Sequence, residues 1–321
     1  MNYRRLGSSG LRVSELSLGA WVTFGGQVDQ DVTTRCVQAA FERGVIFFDN
    51  ADIYANGNAE TVVGKAIKGM TRTDLVLSTK VFFATGKNPN ARGLSRKHIF
   101  ESIHASLKRL GTDYVDLYFC HRFDPETPVE EIVRVMSDLV RQGKVLYWGT
   151  SEWAGAQISA AHGLAREIGG VPPTVEQPQY NLYRRGRVER DLKWVCETLG
   201  VGLTTWSPLA FGLLTGKYND NIPPGSRATL HGYEWLREET LTEERLAKAR
   251  AYTALARELG FSPAQLAIAW CLRTPTVSSV ITGASRVEQV HENLAAADLV
   301  SQLTPEVLGR LDAIFGREQS D

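Results

Sequence analysis

The chain has 321 residues, of which 43% are hydrophobic, and its 36 Lys and Arg residues balance 36 Asp and Glu residues. This composition predicts a large folded core and argues against a disordered chain. Balanced charge argues against nucleic acid or an anionic membrane as the main partner. No apolar run approaches the ~18 residues of a membrane-spanning helix, so we expect no membrane insertion.

The N-terminus and the cysteines predict a cytoplasmic location. No apolar stretch follows the first five residues, so we expect no secretory signal. The four cysteines lie far apart in sequence and form no CxxC pair: Cys36, Cys120, Cys196 and Cys271. This spacing predicts reduced core thiols rather than a disulfide framework or a zinc site, and we expect no metal.

Apolar segments alternate with amphipathic ones along most of the chain. A small hairpin is predicted from residues 3–6 and 11–13, which Gly-Ser-Ser-Gly joins. Buried-strand candidates follow at 16–19, 45–49, 75–80, 115–121, 145–151, 174–177, 202–207 and 277–282. Helical patterns lie between them, among them 32–43, 59–67, 96–110, 129–142, 156–168 and 188–199. This alternation predicts a parallel sheet, and eight strands favour a closed (β/α)8 TIM barrel in one domain over residues 1–321.

Two stretches interrupt this alternation. Residues 208–241 form a long segment rich in Gly and Pro after the seventh barrel strand. Long loops in compact folds are usually functional or disordered, and the position of this one at the mouth predicts a lid. The second stretch, 305–315, is predicted to be an extra C-terminal helix, because Thr304 is a good N-cap and Pro305 would take the first helical position.

Three strand candidates end in polar groups. The first ends at Asp49, with Tyr54 on the following loop, and the next two end at Lys80 and His121. Strand-end residues converge at the mouth of a (β/α)8 barrel, so these four side chains predict one catalytic site. A phenol beside an ammonium group can act as a general acid near neutral pH, because the positive charge lowers the phenol pKa.

Each of these residues also has a structural interpretation. Asp49 could cap a helix or loop, and Lys80 could be an ordinary surface lysine, because structural ion pairs also place charges at strand ends. A single histidine such as His121 is more often a core or surface residue than a catalyst. Trp21 and Trp206 could be core aromatics.

Over nearly its full length the chain resembles the aldo-keto reductase superfamily, most closely the branch of the voltage-gated potassium channel β subunits and their bacterial relatives. The segments that carry the resemblance are GAWVTFGG at 19–26, GLSRK at 93–97, YWGTS at 147–151, TWSPLA at 205–210, QLAIAWCL at 265–272 and TGAS at 282–285. The resemblance implies a barrel closed at its bottom by the hairpin, NADP(H) as cofactor and carbonyl reduction as the reaction. It also implies a catalytic tetrad of Asp49, Tyr54, Lys80 and His121, with Tyr54 as the proton donor.

The resemblance also implies which residues hold the cofactor. The carried-over positions are Trp21, Gln27, Asp49, Ser151, Gln177, Trp206, Ser207, Leu209, Lys217, Arg227, Gly283, Ser285, Gln289, Glu292 and Asn293. Among them, Ser151 and Gln177 would hold the nicotinamide carboxamide, and Arg227 would bind the 2′-phosphate with its planar fork. The chain departs from its relatives at Glu152, where Asn or Arg is more usual, and at Gly225, where the channel branch has an aromatic residue.

The substrate is expected to be a small carbonyl compound in an aromatic pocket. The predicted pocket residues are Trp21, Tyr54, Phe82, Phe83, Trp153, Tyr233 and Trp235. The sequence therefore predicts NADPH-dependent reduction of aldehydes and some ketones. The alternative is a nucleotide-sensing regulatory subunit of a membrane protein with slow turnover. A homo-oligomer is expected only by analogy with the rings of four in the channel branch.

Overall fold

The computed structural model describes residues 1–230 and 234–316, with only the backbone of Trp235 and Leu236. Its strands are β1 (Tyr3–Arg5), β2 (Arg12–Ser14), β3 (Leu16–Gly19), β4 (Phe47–Asp49), β5 (Val76–Val81), β6 (Val115–Cys120), β7 (Val145–Ser151), β8 (Val175–Gln177), β9 (Gly202–Thr205) and β10 (Val277–Thr282). Strands β1 and β2 form an antiparallel hairpin, and the other eight close into a parallel barrel in the order β10-β3-β4-β5-β6-β7-β8-β9. This confirms the predicted hairpin and (β/α)8 barrel.

Helices surround the barrel. In the described ranges they are α1 (Gln30–Glu42), α2 (Asn58–Ala66), α3 (Arg96–Leu110), α4 (Val129–Arg141), α5 (Gly155–Glu167), α6 (Lys193–Leu199), α7 (Glu234–Thr240), α8 (Glu243–Glu258), α9 (Pro263–Leu272), α10 (Val287–Leu294) and α11 (Pro305–Phe315). The extra C-terminal helix begins as predicted: the Thr304 side chain accepts a hydrogen bond from the Val307 amide, and Pro305 occupies the first turn.

Several elements differ from the sequence-based ones, and two of these differences have a clear physical reason. The helix predicted at 188–199 begins as a π turn, Arg187–Asp191, before α6. In this turn Glu189 accepts hydrogen bonds from Tyr180 and Arg185. Helix α9, which was not among the predicted helices, is buried on nearly every side, so it has no polar face to give its sequence a helical period.

The barrel interior follows from the two-residue period of its strands. Successive side chains of a strand point to opposite faces, so Phe47 and Asp49 of β4 share one face. The amide of Gln177 on β8 donates to Asp49 Oδ1 at 3.1 Å. Because β4 and β8 are not neighbours in the barrel, this hydrogen bond crosses its interior. On the inner face of β4, Phe47 lies toward the bottom of the barrel with the hairpin residues, and Asp49 lies at the strand end, near the mouth.

The hairpin closes the bottom of the barrel. Its buried Leu6 and Val13 pack with a group of inner residues from the strands: Phe47, Val76, Leu117, Phe119 and Val175. Arg4 Nη1 ties the hairpin to the barrel wall by donating to the carbonyls of Leu272 and Val277 at 2.9 and 3.0 Å. The floor is thus filled by side chains, and the open end lies at the strand C-termini.

The four cysteines are buried and unpaired, in agreement with the predicted core thiols. Over the described ranges, no helix combines the length and apolarity that crossing a membrane requires. Nor do His, Cys, Asp and Glu side chains in these ranges gather into a group that could hold a metal ion.

Candidate active site

The predicted tetrad residues lie together at the mouth of the barrel. Lys80 is fully buried, and its ammonium group donates to Asp49 Oδ2 at 2.6 Å, to the Asn50 carbonyl at 2.6 Å and to the Tyr54 hydroxyl at 3.1 Å. Burial lowers the pKa of Lys80, and the adjacent Asp49 carboxylate opposes that shift. Asp49 is fixed in turn by Ser78, whose hydroxyl donates to Oδ1 at 2.7 Å.

His121 faces Tyr54 across the cavity. The centroids of the two rings are 5.8 Å apart. Burial, reinforced by the charges of Lys80 and Arg122, holds the pKa of His121 well below its usual 6.5, so the imidazole is neutral at neutral pH. Its Nδ1 is buried and forms no hydrogen bond with any described residue. A neutral imidazole can still donate one hydrogen bond to a carbonyl oxygen.

A single cavity of about 870 Å³ joins the tetrad to a second, positively charged region. Every cofactor residue expected from the resemblance lines it: Trp21, Gln27, Asp49, Ser151, Gln177, Trp206, Ser207, Leu209, Lys217, Arg227, Gly283, Ser285, Gln289, Glu292 and Asn293. These residues come from strand ends and loops at one end of the barrel and from α10. The cavity has the size of a site that encloses a cofactor-sized ligand.

The two residues expected to hold a carboxamide are already connected. The Ser151 hydroxyl donates to the Gln177 carbonyl at 2.9 Å, and the Gln177 side chain reaches Asp49. The end of β7 is thereby joined to β8 and to the tetrad. Neither residue would have to cross the cavity to meet a ligand beside Asp49.

Glu152 fixes the neighbouring wall instead of lining the cavity. Its Oε1 accepts hydrogen bonds from the Gln179 amide at 2.6 Å and from the Trp206 indole at 3.0 Å. Arg187 lies 3.8 Å from its other oxygen. The indole of Trp206 also meets Trp21 edge-on, with centroids 5.9 Å apart. Glu152 therefore orients an aromatic wall.

Three cations gather in the second region of the cavity: Lys217, Arg227 and Arg286. Partial desolvation at the cavity wall, with the charges of Arg227 and Arg286, lowers the pKa of Lys217 to about 8. Lys217 forms no ion pair with any carboxylate in the described part of the chain. The lysine stem packs against Gly212, whose φ of +98° suits glycine and where a Cβ would lie 2.6 Å from Lys217 Cε.

The predicted lid segment lines the cavity and carries two of its cations, Lys217 and Arg227. Pro223, Pro224 and Gly225 line the cavity, and the Gln27 side chain donates to the Gly225 carbonyl at 3.3 Å. The Arg227 guanidinium lies 5.7 Å from the ring centroid of Trp21. This segment therefore contacts the loop that follows β3.

The predicted substrate pocket is only partly assembled. Trp21, Tyr54 and Phe83 line the cavity. Phe82 does not, because it packs against the core and meets Phe83 edge-on. Trp153 also lies elsewhere: it is fully buried against Phe123, with ring centroids 5.0 Å apart. Tyr233 and the side chain of Trp235 lie outside the described residues.

Sequence reasoning missed two cations that line this cavity. Arg122 follows His121, and Arg286 immediately precedes α10. Their positions next to a predicted catalytic residue and a predicted helix start were a usable signal. However, an arginine in a loop is more often solvated, so only the cavity distinguishes these two from the other arginines.

Comparisons with known proteins agree with this geometry. The model of the aldo/keto reductase family matches residues 15–315. A protein of Oryza sativa subsp. japonica named "Probable voltage-gated potassium channel subunit beta" is 51% identical over 317 residues, which cover 98% of this chain and 96% of that protein. A protein of the same name from Arabidopsis thaliana is 50% identical over 318 residues, covering 98% of this chain and 97% of that protein.

Proposed function

We propose that this chain, which belongs to the aldo/keto reductase family, reduces aldehydes and some ketones to alcohols with NADPH. The family supports an oxidoreductase activity, and NADP is its usual cofactor. One observation carries the finer proposal. Asp49, Lys80 and Tyr54 form a continuous hydrogen-bonded chain that ends in a hydroxyl at the cavity wall.

The proposed chemistry assigns a separate task to each side chain. The bound cofactor would supply a hydride to the carbonyl carbon. The Tyr54 hydroxyl would give its proton to the carbonyl oxygen, and the resulting phenolate would be stabilised by the Lys80 ammonium 3.1 Å away. Asp49 holds that ammonium in place. Neutral His121 would donate a hydrogen bond to the same carbonyl oxygen and orient the substrate.

The residues along the cavity fit NADP(H). A dinucleotide phosphate carries anionic groups, and Lys217, Arg227 and Arg286 place three cations at one end of the cavity. Ser285 lies at the start of α10, where backbone amides favour anions. Ser151, Gln177 and the Trp206 wall would receive the nicotinamide end beside Asp49. Ser207 and Leu209 would lie along the pyrophosphate.

The relatives favour a second candidate. Two proteins that share about half of their residues with this chain are named as voltage-gated potassium channel β subunits. The alternative function is a nucleotide-sensing subunit that associates with a membrane protein, as a ring of copies, and turns over slowly. The tetrad, with its histidine at position 121, supports the reductase as the first choice. Four buried free thiols support a reducing, cytoplasmic location.

A turnover assay tests the proposal. The purified chain should oxidise NADPH in the presence of 4-nitrobenzaldehyde and form the alcohol. The variant Tyr54→Phe should bind NADPH as the parent does, while turnover falls by roughly 10² or more, because the proton donor is lost. Undiminished turnover in this variant would remove Tyr54 from the mechanism. Nucleotide binding without turnover in the parent chain would favour the regulatory subunit.

A further inference from the structure

Arg122 is a cation at the tetrad end of the cavity that the tetrad chemistry does not use. It directly follows His121, is half-buried and lines the cavity. Its Nη1 donates to the His121 carbonyl at 2.5 Å, and its guanidinium lies 5.5 Å from the ring centroid of Phe83. The Phe83 ring is in turn 5.0 Å from the His121 ring. Arg122 is therefore a neighbour of the reacting groups.

The positive charge of Arg122 is not balanced by an acidic side chain of the described residues. Among the residues that the structure describes, no carboxylate lies within ion-pair distance of it. The other buried cation nearby, Lys80, is paired with Asp49, the acidic residue that lines this end. His121 is neutral, since burial and the two cations lower its pKa. The tetrad end thus carries one surplus positive charge beside an aromatic wall.

This surplus charge points to the substrate. A guanidinium presents a planar fork of donors that matches a carboxylate, and it forms stronger hydrogen bonds with an anion than with a neutral group. Phe83 offers an apolar face next to the fork, and its side chain is among the exposed large hydrophobic groups of the surface. Together they suit a compound with a carbonyl at one end, an apolar or aromatic middle and an anion at the other.

We propose that Arg122 makes this site selective for aldehydes and ketones that carry a carboxylate group. This inference rests on the proposed reductase function and adds its substrate class. The competing role is that Arg122 only braces the loop after β6 through the His121 carbonyl. A brace would affect all substrates equally, whereas a carboxylate-binding residue changes the ratio between charged and neutral ones.

The test compares two aldehydes that differ in one charge, 4-carboxybenzaldehyde and methyl 4-formylbenzoate. The parent chain should favour the acid over the ester in kcat/KM by roughly ten- to a hundredfold, the effect of a charge-assisted contact. Arg122→Gln should bring this ratio close to one, mainly by raising KM for the acid. Arg122→Lys should recover part of it, because a charge remains without the fork.

A matched control is Arg134→Gln, which removes an exposed arginine of α4 that pairs with Glu130. It should keep the parent ratio. An unchanged acid-to-ester ratio in Arg122→Gln would overturn the inference, as would a parent ratio near one. Titration of benzoate onto the NADP⁺-loaded protein separates the two proposals. If neither aldehyde is reduced but benzoate binds in an Arg122-dependent way, the proposed reductase function is wrong and the proposed carboxylate site is supported.

Discussion

The two ends of the cavity differ in how the charge of a lysine is balanced. At the tetrad end, the buried Lys80 ammonium is matched by Asp49 at 2.6 Å and by two further oxygen atoms. At the cationic end, formed by Lys217, Arg227 and Arg286, the Lys217 side chain is exposed and has no described carboxylate partner. The charge of Lys80 is balanced within the protein, whereas the charge of Lys217 is suited to an anionic ligand that would balance it.

This difference reflects the physical cost of burying charge. An unpaired charge in a protein interior is expensive, and a well-made ion pair reduces that cost. A catalytic ammonium must stay in one geometry, so its partner is built into the fold. A phosphate-binding cation gains from having no internal partner, because the ligand then has nothing to displace. This contrast predicts that replacing the lysine by methionine changes the free energy of unfolding very differently at the two ends.

The largest expected effect is on stability. Lys80→Met leaves the Asp49 carboxylate buried without its cation, so the free energy of unfolding should fall by about 3–5 kcal/mol. Lys217→Met removes an exposed cation next to two others, so it should change that free energy by less than about 1 kcal/mol or raise it. Urea unfolding of both variants at pH 7 measures the difference. An equal loss of unfolding free energy in both variants would show that Lys217 has a structural partner and would contradict the proposed difference between the two ends.

The next effect is on cofactor choice. Arg227→Ala should weaken NADPH binding roughly ten- to a hundredfold and leave NADH nearly unchanged, because only NADPH carries the 2′-phosphate. Fluorescence titration of both cofactors provides the test. Arg257→Ala, which removes an exposed arginine of α8, is the control and should bind both as the parent does. An equal loss for NADPH and NADH would place Arg227 at the pyrophosphate or on the segment that crosses the cavity.

The smallest effect is a pH dependence of cofactor affinity. The pKa of Lys217 is lowered to about 8, mainly by partial desolvation at the cavity wall. A bound phosphate favours the protonated form and raises this pKa, so above pH 8 binding requires the uptake of a proton. NADPH affinity should therefore decline as pH rises, by about tenfold between pH 7 and 9. Lys217→Arg should remove the decline, because arginine stays charged. A flat profile in the parent chain would contradict the assignment.

Much of this molecule is encoded locally. The alternation of apolar strands and amphipathic helices predicted the barrel, because each element carries its own period and its own turn residues. Asp49, Lys80 and His121 were recognisable because each lies at or next to the end of a buried strand, and parallel strands bring such positions together. Thr304 and Pro305 marked the start of α11 in the same way. These signals require no knowledge of distant parts of the chain.

Other features depend on which residues meet across the barrel. Glu152 follows a predicted cofactor residue, yet its carboxylate binds the Trp206 indole, 54 positions away. Trp153 was expected in the pocket, but it packs against Phe123 in the interior. Two features distinguish Arg122 from a surface arginine. It lines the cavity, and no carboxylate of the described residues lies within ion-pair distance of it. A side chain's period along the chain determines its face, whereas its burial and its partners depend on neighbours that only the closed barrel brings together.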